Sequence, residues 1–362
     1  MTLRDIRRHV GQLAVAGFDG HAVPADLKAL VREFDLAGVI LFARNVAAPD
    51  QVAELAAEVS SLARDLPLWV SVDQEGGRVA RMRRPFTEWP PMATLGRSGD
   101  ERLAERFARA LGAELRAVGV TLDFAPVLDV HTNPANTAIG DRAFADRADT
   151  VARLGRAVIR GLQSSGVAAC GKHFPGHGDT AADSHEDLPV VEQPPDRLRA
   201  LELEPFRAAV AEGVAAIMTA HVLVPAIDAE RPATLSPAII GPWLRGELGY
   251  DGLVVSDDLG MKAISRRYSL AEAAVGAVAA GCDLVLLCNS TYDEQAGALE
   301  ALVRAVEDGT LRPAAIEASF ARQRAAKARF LGPAARKAPV PPVAVVGCNE
   351  HQAIAREMGE FH

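Results

Sequence analysis

The chain has 362 residues, 49% of them hydrophobic and 24% charged, with 39 Lys and Arg against 47 Asp and Glu for a formal net charge of −8. This is globular composition, not that of a disordered or fibrous chain, and an acidic balance without a long basic run excludes binding nucleic acid through its phosphates. No apolar run approaches the ~18 residues needed to cross a bilayer, and the charged start Met1-Thr2-Leu3-Arg4-Asp5-Ile6-Arg7-Arg8-His9 lacks the apolar segment of a secretory signal.

Short apolar runs predict strands over residues 12–16, 38–42, 68–72, 121–125, 167–172, 215–219, 252–256 and 283–287. Several, such as Gly38-Val39-Ile40-Leu41-Phe42, are continuously apolar, as strands buried on both faces should be. Between most of them the period changes to a helical one. Residues 50–64 carry Val52, Leu55, Ala56, Val59 and Leu62 on one stripe, and similar patterns predict helices over 101–118, 150–165, 197–212, 236–248, 269–280 and 293–307. Eight strand signals followed by helix signals over about 280 residues predict a single (β/α)8 TIM-type barrel, an α/β fold. An open doubly wound sheet would carry a glycine-rich phosphate turn after its first strand. Here that strand is followed by Gly17-Phe18-Asp19-Gly20-His21, which is no such turn.

Two connections, 73–99 and 126–149, are too long for plain helices, and a third spans 174–195; all three read as ordered functional loops. The barrel fills residues 1–331. From Gly332 a Pro- and Ala-rich linker opens a short C-terminal extension, 332–362, with an apolar run at 343–346, a helical pattern at 352–358 and no assigned role. Cys170, Cys282, Cys288 and Cys348 form no CxxC pair and read as reduced core thiols, which predicts a cytoplasmic protein. Aromatic residues are only 5%, few for an enzyme that grips long polysaccharides.

Chemistry in such a barrel belongs at the C-terminal ends of the strands. Strand three ends in Asp73-Gln74-Glu75-Gly76-Gly77-Arg78-Val79-Ala80-Arg81. Strand four leads to Asp123, Asp129 and Gly140-Asp141-Arg142. Strand five runs into Lys172-His173-Phe174-Pro175-Gly176-His177-Gly178-Asp179-Thr180, with Asp183-Ser184-His185 behind. Strand six ends near His221 and strand seven at Ser256-Asp257-Asp258. Neighbouring strand residues point to opposite faces, so only one of the two aspartates faces the mouth. Asp257, the first residue out of the apolar run, is the reactive candidate, and Asp258 caps the turn at Leu259-Gly260. Lys172, at an apolar strand end, either pairs with a carboxylate such as Asp73 or binds a substrate oxygen. His173, His177, Asp183 and His185 are possible metal ligands by residue type, although strand one offers no ligand. Alternatively, Asp183 and His185, two apart, form a proton-transfer dyad in which the carboxylate raises the imidazole pKa and fixes its tautomer.

These motifs resemble the signature of bacterial β-N-acetylglucosaminidases in glycoside hydrolase family 3. The run Lys172 to Gly178 with Asp179-Thr180 and Asp183-Ser184-His185 carries the resemblance, and Asp73-Gln74-Glu75-Gly76-Gly77-Arg78, Gly140-Asp141-Arg142 and Ser256-Asp257-Asp258-Leu259 extend it over most of 1–331. The resemblance implies a retaining exo-enzyme with Asp257 as nucleophile and His185 as general acid/base, supported by Asp183. Asp73, Arg81, Arg142, Lys172 and His173 match sugar-binding positions. It further implies no metal and no other cofactor, and a small soluble amino-sugar substrate of cell-wall recycling, N-acetylglucosaminyl-1,6-anhydro-N-acetylmuramic acid with or without peptide. A β-glucosidase or a phosphorylase of the same family is the near alternative. A metal-dependent barrel hydrolase and a non-catalytic sugar-binding protein are the distant ones.

Overall fold

The structure, a computed structural model, describes residues 2–180 and 188–362. Its centre is eight parallel strands: β1 (Ala14–Gly17), β2 (Gly38–Leu41), β3 (Trp69–Val72), β4 (Leu122–Asp123), β5 (Ala168–Phe174), β6 (Ala216–Thr219), β7 (Leu253–Asp258) and β8 (Leu284–Leu287). Each pairs with its neighbours in sequence, and β8 returns to β1, closing the predicted barrel. The continuous apolar runs follow from burial on both faces. Val15, Ile40, Trp69, Leu122, Ala168, Cys170, Met218, Val255 and Leu284 fill the barrel interior. The alternate residues, among them Ala16, Val39, Val70, Ala169, Ile217, Val254 and Val285, pack outward into the larger core shared with the helices. Each large apolar side chain fully buried in this way contributes about 1.5–3 kcal/mol.

The helix Pro313–Leu331 underlies the N-terminal end of the barrel. Its Phe330 meets Trp69 at a 6.3 Å ring separation, and Gln323 accepts a hydrogen bond from the Trp69 indole at 3.1 Å. The C-terminal ends of the strands are left open to their loops, which is where the ionisable residues gather.

Some helices depart from the predicted pattern. Ala25–Phe34 and Leu3–Gly11 went unpredicted. The helix predicted over 197–212 is two pieces, Pro195–Ala200 and Leu203–Ala211. The break lets Leu198 and Leu203 both reach the core, although residues five apart lie on different faces of an uninterrupted helix. The segment predicted helical over 236–248 begins with Pro237–Ile239 and then widens into π turns over Ile240–Glu247. The extension after Gly332 carries the helical turn Pro333–Lys337, the 3-10 turn Val343–Val345 and the helix Asn349–Gly359, with Met358 fully buried. Cys170, Cys282 and Cys288 are buried as expected; Cys348, also expected in the core, is half-buried at the start of that last helix. No helix among the described residues is long and apolar enough to cross a membrane.

Candidate active site

The long loop after β3 turns back at once. Gln74–Gly76 pairs with Val79–Ala80 as a two-stranded hairpin. Gln74 ties it down, accepting from the Arg81 and Met82 amides at 2.8 and 3.0 Å and donating to the Met82 carbonyl. Gly76 and Gly77 have φ of +102° and +57°, the left-handed region that glycine adopts freely. Asp73, Glu75 and Arg81 therefore stand together over the barrel mouth.

Lys172 projects to the same place from β5. Its ammonium lies 2.9 Å from Asp73 and 2.7 Å from Glu75, and Arg142 binds Glu75 with two nitrogens at 2.8 and 2.9 Å. Arg81 reaches Asp73 at 3.3 Å. Burial works against ionising Glu75, yet Arg142 and Lys172 together hold its carboxyl well below the usual range, and Asp73 and Glu75 raise the Lys172 ammonium in spite of its own burial. Lys172 thus pairs with two carboxylates rather than one.

The Lys172–His173 and Phe174–Pro175 peptides are cis. The His173 ring is buried, with Nδ1 2.7 Å from Asp129 and Nε2 3.4 Å from Arg142. The second Asp129 oxygen accepts the amides of His173 and His177. Burial opposes ionisation of Asp129, but His173 and these donors lower its carboxyl overall. His177 stacks edge-on to His173 and bonds Thr180; burial brings its imidazole down to about 4.

Asp258 takes the capping role, although both aspartates border the cavity described below. The buried Asp258 carboxyl accepts the Gly260 amide at 3.1 Å, the Cys288 amide at 3.2 Å and the Asn289 side chain at 2.9 Å, which fastens the turn between β7 and the β8 loop. Asp257 accepts the Asp258 amide on Oδ1 at 2.8 Å, and its Oδ2 makes no hydrogen bond among the described residues. Burial opposes its ionisation, but His221, His173 and the Asp258 amide take its carboxyl below the usual range. His221 is held by Thr234 and the Asp258 carbonyl, and burial lowers its imidazole.

A cavity of about 360 Å³ joins these groups: Asp73, Arg81, Arg142, Lys172, His173 and Asp257 all line it, with Phe42 and Met218 as apolar walls. Six of the eight candidate residues thus meet in one place, and Asp183 and His185 lie outside the described residues. Glu75 and Asp129 also shape the cavity although no role was assigned to them, and His177, weighed only as a metal ligand, packs against His173. For Glu75 the signal was its spacing, two residues from Asp73 and so on the same side of an extended chain. Asp129 gave no local signal, since its partner is 44 residues away. No group of three or more His, Cys, Asp or Glu side chains arranged to hold a metal occurs among the described residues.

Comparisons with known proteins identify the family. The family model of the glycosyl hydrolase family 3 N terminal domain matches residues 5–325. A beta-hexosaminidase of Thiobacillus denitrificans is 46% identical over 258 residues, 70% of this chain and 71% of that one. One from Alkalilimnicola ehrlichii is 44% identical over 281 residues, 75% of this chain and 79% of the relative. Among solved structures, a family 3 beta-N-acetylglucosaminidase from Paenibacillus sp. superposes with a TM-score of 0.93 at 46% identity, over 100% of this chain and 69% of that chain. NagZ from Neisseria gonorrhoeae, solved in complex with N-trifluoroacetyl-D-glucosamine, gives 0.78 at 33% identity, over 96% of this chain and 97% of that chain. The chain belongs to glycosyl hydrolase family 3, and its barrel is the glycoside-hydrolysing domain of that family.

Proposed function

We propose that the protein is a retaining exo-β-N-acetylglucosaminidase that releases terminal β-linked N-acetylglucosamine through a covalent glycosyl-aspartate. The observation that carries this reading is the setting of Asp257: one oxygen is fixed by a backbone amide while the carboxyl borders a cavity also lined by Asp73, Arg81, Arg142, Lys172 and His173. The beta-hexosaminidase relatives and the bound amino-sugar analogue in the Neisseria structure support the choice of sugar.

In this reading Asp73, Arg81, Arg142, Lys172 and His173 hold the sugar. The ionised Asp257 attacks C1 as protonated His185 gives its proton to the departing glycosidic oxygen, so one C–O bond forms while the other breaks. Neutral His185, oriented by Asp183, then takes a proton from water, the water oxygen bonds C1, and Asp257 leaves as carboxylate. Retaining glycosidases generally use two carboxylates. A neutral imidazole in the second role avoids repelling an anionic acceptor, so the acceptor is tested together with the sugar. General acid catalysis of this kind contributes about 10²–10⁴-fold.

The proposed substrate is small and soluble, N-acetylglucosaminyl-1,6-anhydro-N-acetylmuramic acid and its peptide forms, handled in the cytoplasm during peptidoglycan recycling. A second depression of about 470 Å³ shares Cys288 and Asn289 with the catalytic cavity and offers room for the next unit.

Initial rates on a chromogenic N-acetyl-β-glucosaminide and on the matching glucoside, each with and without phosphate, test the reading. Turnover of the first alone, unaffected by phosphate, supports it. Preference for the glucoside, or a sugar phosphate as product, overturns it. Asp257→Ala is expected to abolish turnover and prevent trapping by a 2-fluoro sugar. His185→Ala is expected to slow poor leaving groups far more than activated aryl glycosides.

A further inference from the structure

The segment after the barrel lies against the loop that carries Asp73 and Arg81, two of the five proposed sugar-binding residues. Between Arg81 and the helix Met92–Ser98 the chain buries Met82, Phe86, Thr87 and Trp89. This stretch is the back wall of the hairpin at the site: the Gly77 amide donates to the Trp89 carbonyl at 2.8 Å, and a side chain on Gly76 would strike the Pro90 carbonyl at 2.8 Å.

The buried carboxyl of Glu114, on the helix Glu101–Ala117, closes that wall from behind. It accepts the Thr87 amide at 3.0 Å and the Thr87 hydroxyl at 2.6 Å. Its remaining bonds go to the C-terminal extension: the Gly347 amide at 2.9 Å and His351 Nδ1 at 2.8 Å. Gly347 has a φ of +64°, and a side chain there would meet the Pro85 carbonyl at 2.1 Å, so the extension crosses the loop in backbone contact. The Trp89 ring sits 5.1 Å from Phe107 and 6.3 Å from His351. Farther along, Glu357 binds Arg106 through two nitrogens, the Arg97 guanidinium bonds the Phe361 carbonyl, and Met358 is fully buried.

We propose that residues 343–361 form a brace that sets the position of Asp73, Glu75 and Arg81, with Glu114 and His351 as positioning residues for sugar binding. The coupling runs through defined contacts. His351 and Gly347 fix Glu114, and Glu114 fixes Thr87. The 82–91 stretch then holds Gly76 and Gly77, while Gln74 joins Met82 and Arg81 to the strand end. A carboxyl with four hydrogen-bond donors cannot shift without breaking bonds inside the core, which makes it an anchor rather than a surface tie.

The test rests on the proposed activity and uses the full chain with His351→Ala, His351→Asn and Glu114→Gln. Asn presents an amide nitrogen near the place of Nδ1 and keeps the donor; Ala removes it. Because the braced residues grip the sugar in ground state and transition state alike, His351→Ala is expected to raise KM for the aryl N-acetylglucosaminide about 10-fold with kcat within about 2-fold. His351→Asn is expected to restore most of the loss, and Glu114→Gln to follow His351→Ala. Hydrogen exchange over residues 74–90 is expected to quicken in the Ala variant relative to the barrel strands, a readout that needs no turnover. A fall in Tm with KM and exchange over 74–90 unchanged would reduce the segment to a stabilising strap and overturn the proposal. A wild-type protein without hexosaminidase activity would overturn the functional reading instead, leaving the exchange experiment to decide the brace.

Discussion

His173 and Asp129 form a buried pair across 44 residues of sequence, Nδ1 to Oδ2 at 2.7 Å, with the other Asp129 oxygen tied to two backbone amides. An ionised carboxylate only accepts, so the proton sits on Nδ1 and Nε2 is left as an acceptor beside Arg142 and the cavity. Asp129 therefore fixes both the direction and the tautomer of a ring that lines the cavity. Replacing it with Asn offers an amide donor to that nitrogen and is expected to disturb the ring at a cost of about 1–3 kcal/mol, or about 5- to 150-fold in kcat/KM. Steady-state kinetics beside a thermal melt separate this from unfolding; an Asp129→Asn enzyme with wild-type kcat/KM would remove the tautomer role.

Glu75 holds two cations at once. In Glu75→Gln, Lys172 would keep Asp73 as its anion, and Arg142 would be left with Asp129 and Asp73. Removing one partner of a buried ion pair costs about 3–5 kcal/mol because a charge is left uncompensated. The variant is expected to melt well below the wild type and to bind substrate poorly. Denaturant midpoints and KM measure the two effects, and an unchanged melt would mean that the arrangement relaxes without cost.

His177 gives the stability curve an acid limb. Its imidazole is lowered from 6.5 to about 4, chiefly by burial and against the attraction of Asp129, with His173 and Arg142 lowering it further. Between about pH 4 and 6.5 the unfolded chain therefore binds a proton that the folded chain refuses. Stability falls as pH drops through that window, by roughly 3 kcal/mol for this group, and the contribution levels off below it. Glu75, with a depressed carboxyl, keeps its full stabilising effect down to about pH 4.5 and loses it as pH falls further. Melting curves from pH 7 to 4 are expected to show the decline in the wild type and a flatter profile in His177→Gln.

The barrel was legible because a strand buried on both faces writes itself as an unbroken apolar run, as at Gly38 to Leu41 and Leu284 to Leu287. Strand ends then pointed to Asp73, Lys172 and Asp257 without any tertiary information. Pair identities were less accessible. Glu75 meeting Arg142 depends on two loops converging from different strands, and Asp129 meeting His173 depends on the curvature of the β4 connection. The broken helix near Leu201 was hidden for a related reason: apolar spacing records which residues are buried, not the local unwinding that brings them to the core. The C-terminal extension carried no assigned role because its contacts, Gly347 and His351 on Glu114, lie more than 230 residues away in sequence.

The cations that border the cavity are already matched. Arg81 faces Asp73, Lys172 faces Asp73 and Glu75, and Arg142 faces Glu75. In the proposed reading, an incoming sugar meets oriented donors and acceptors rather than an unclaimed positive field. Its affinity then depends on hydroxyl geometry and only slightly on ionic strength, because close, partly buried pairs are weakly screened. Phosphorylated sugars, which would compete for a lone cation, find every bordering guanidinium and ammonium among the described residues engaged before they arrive.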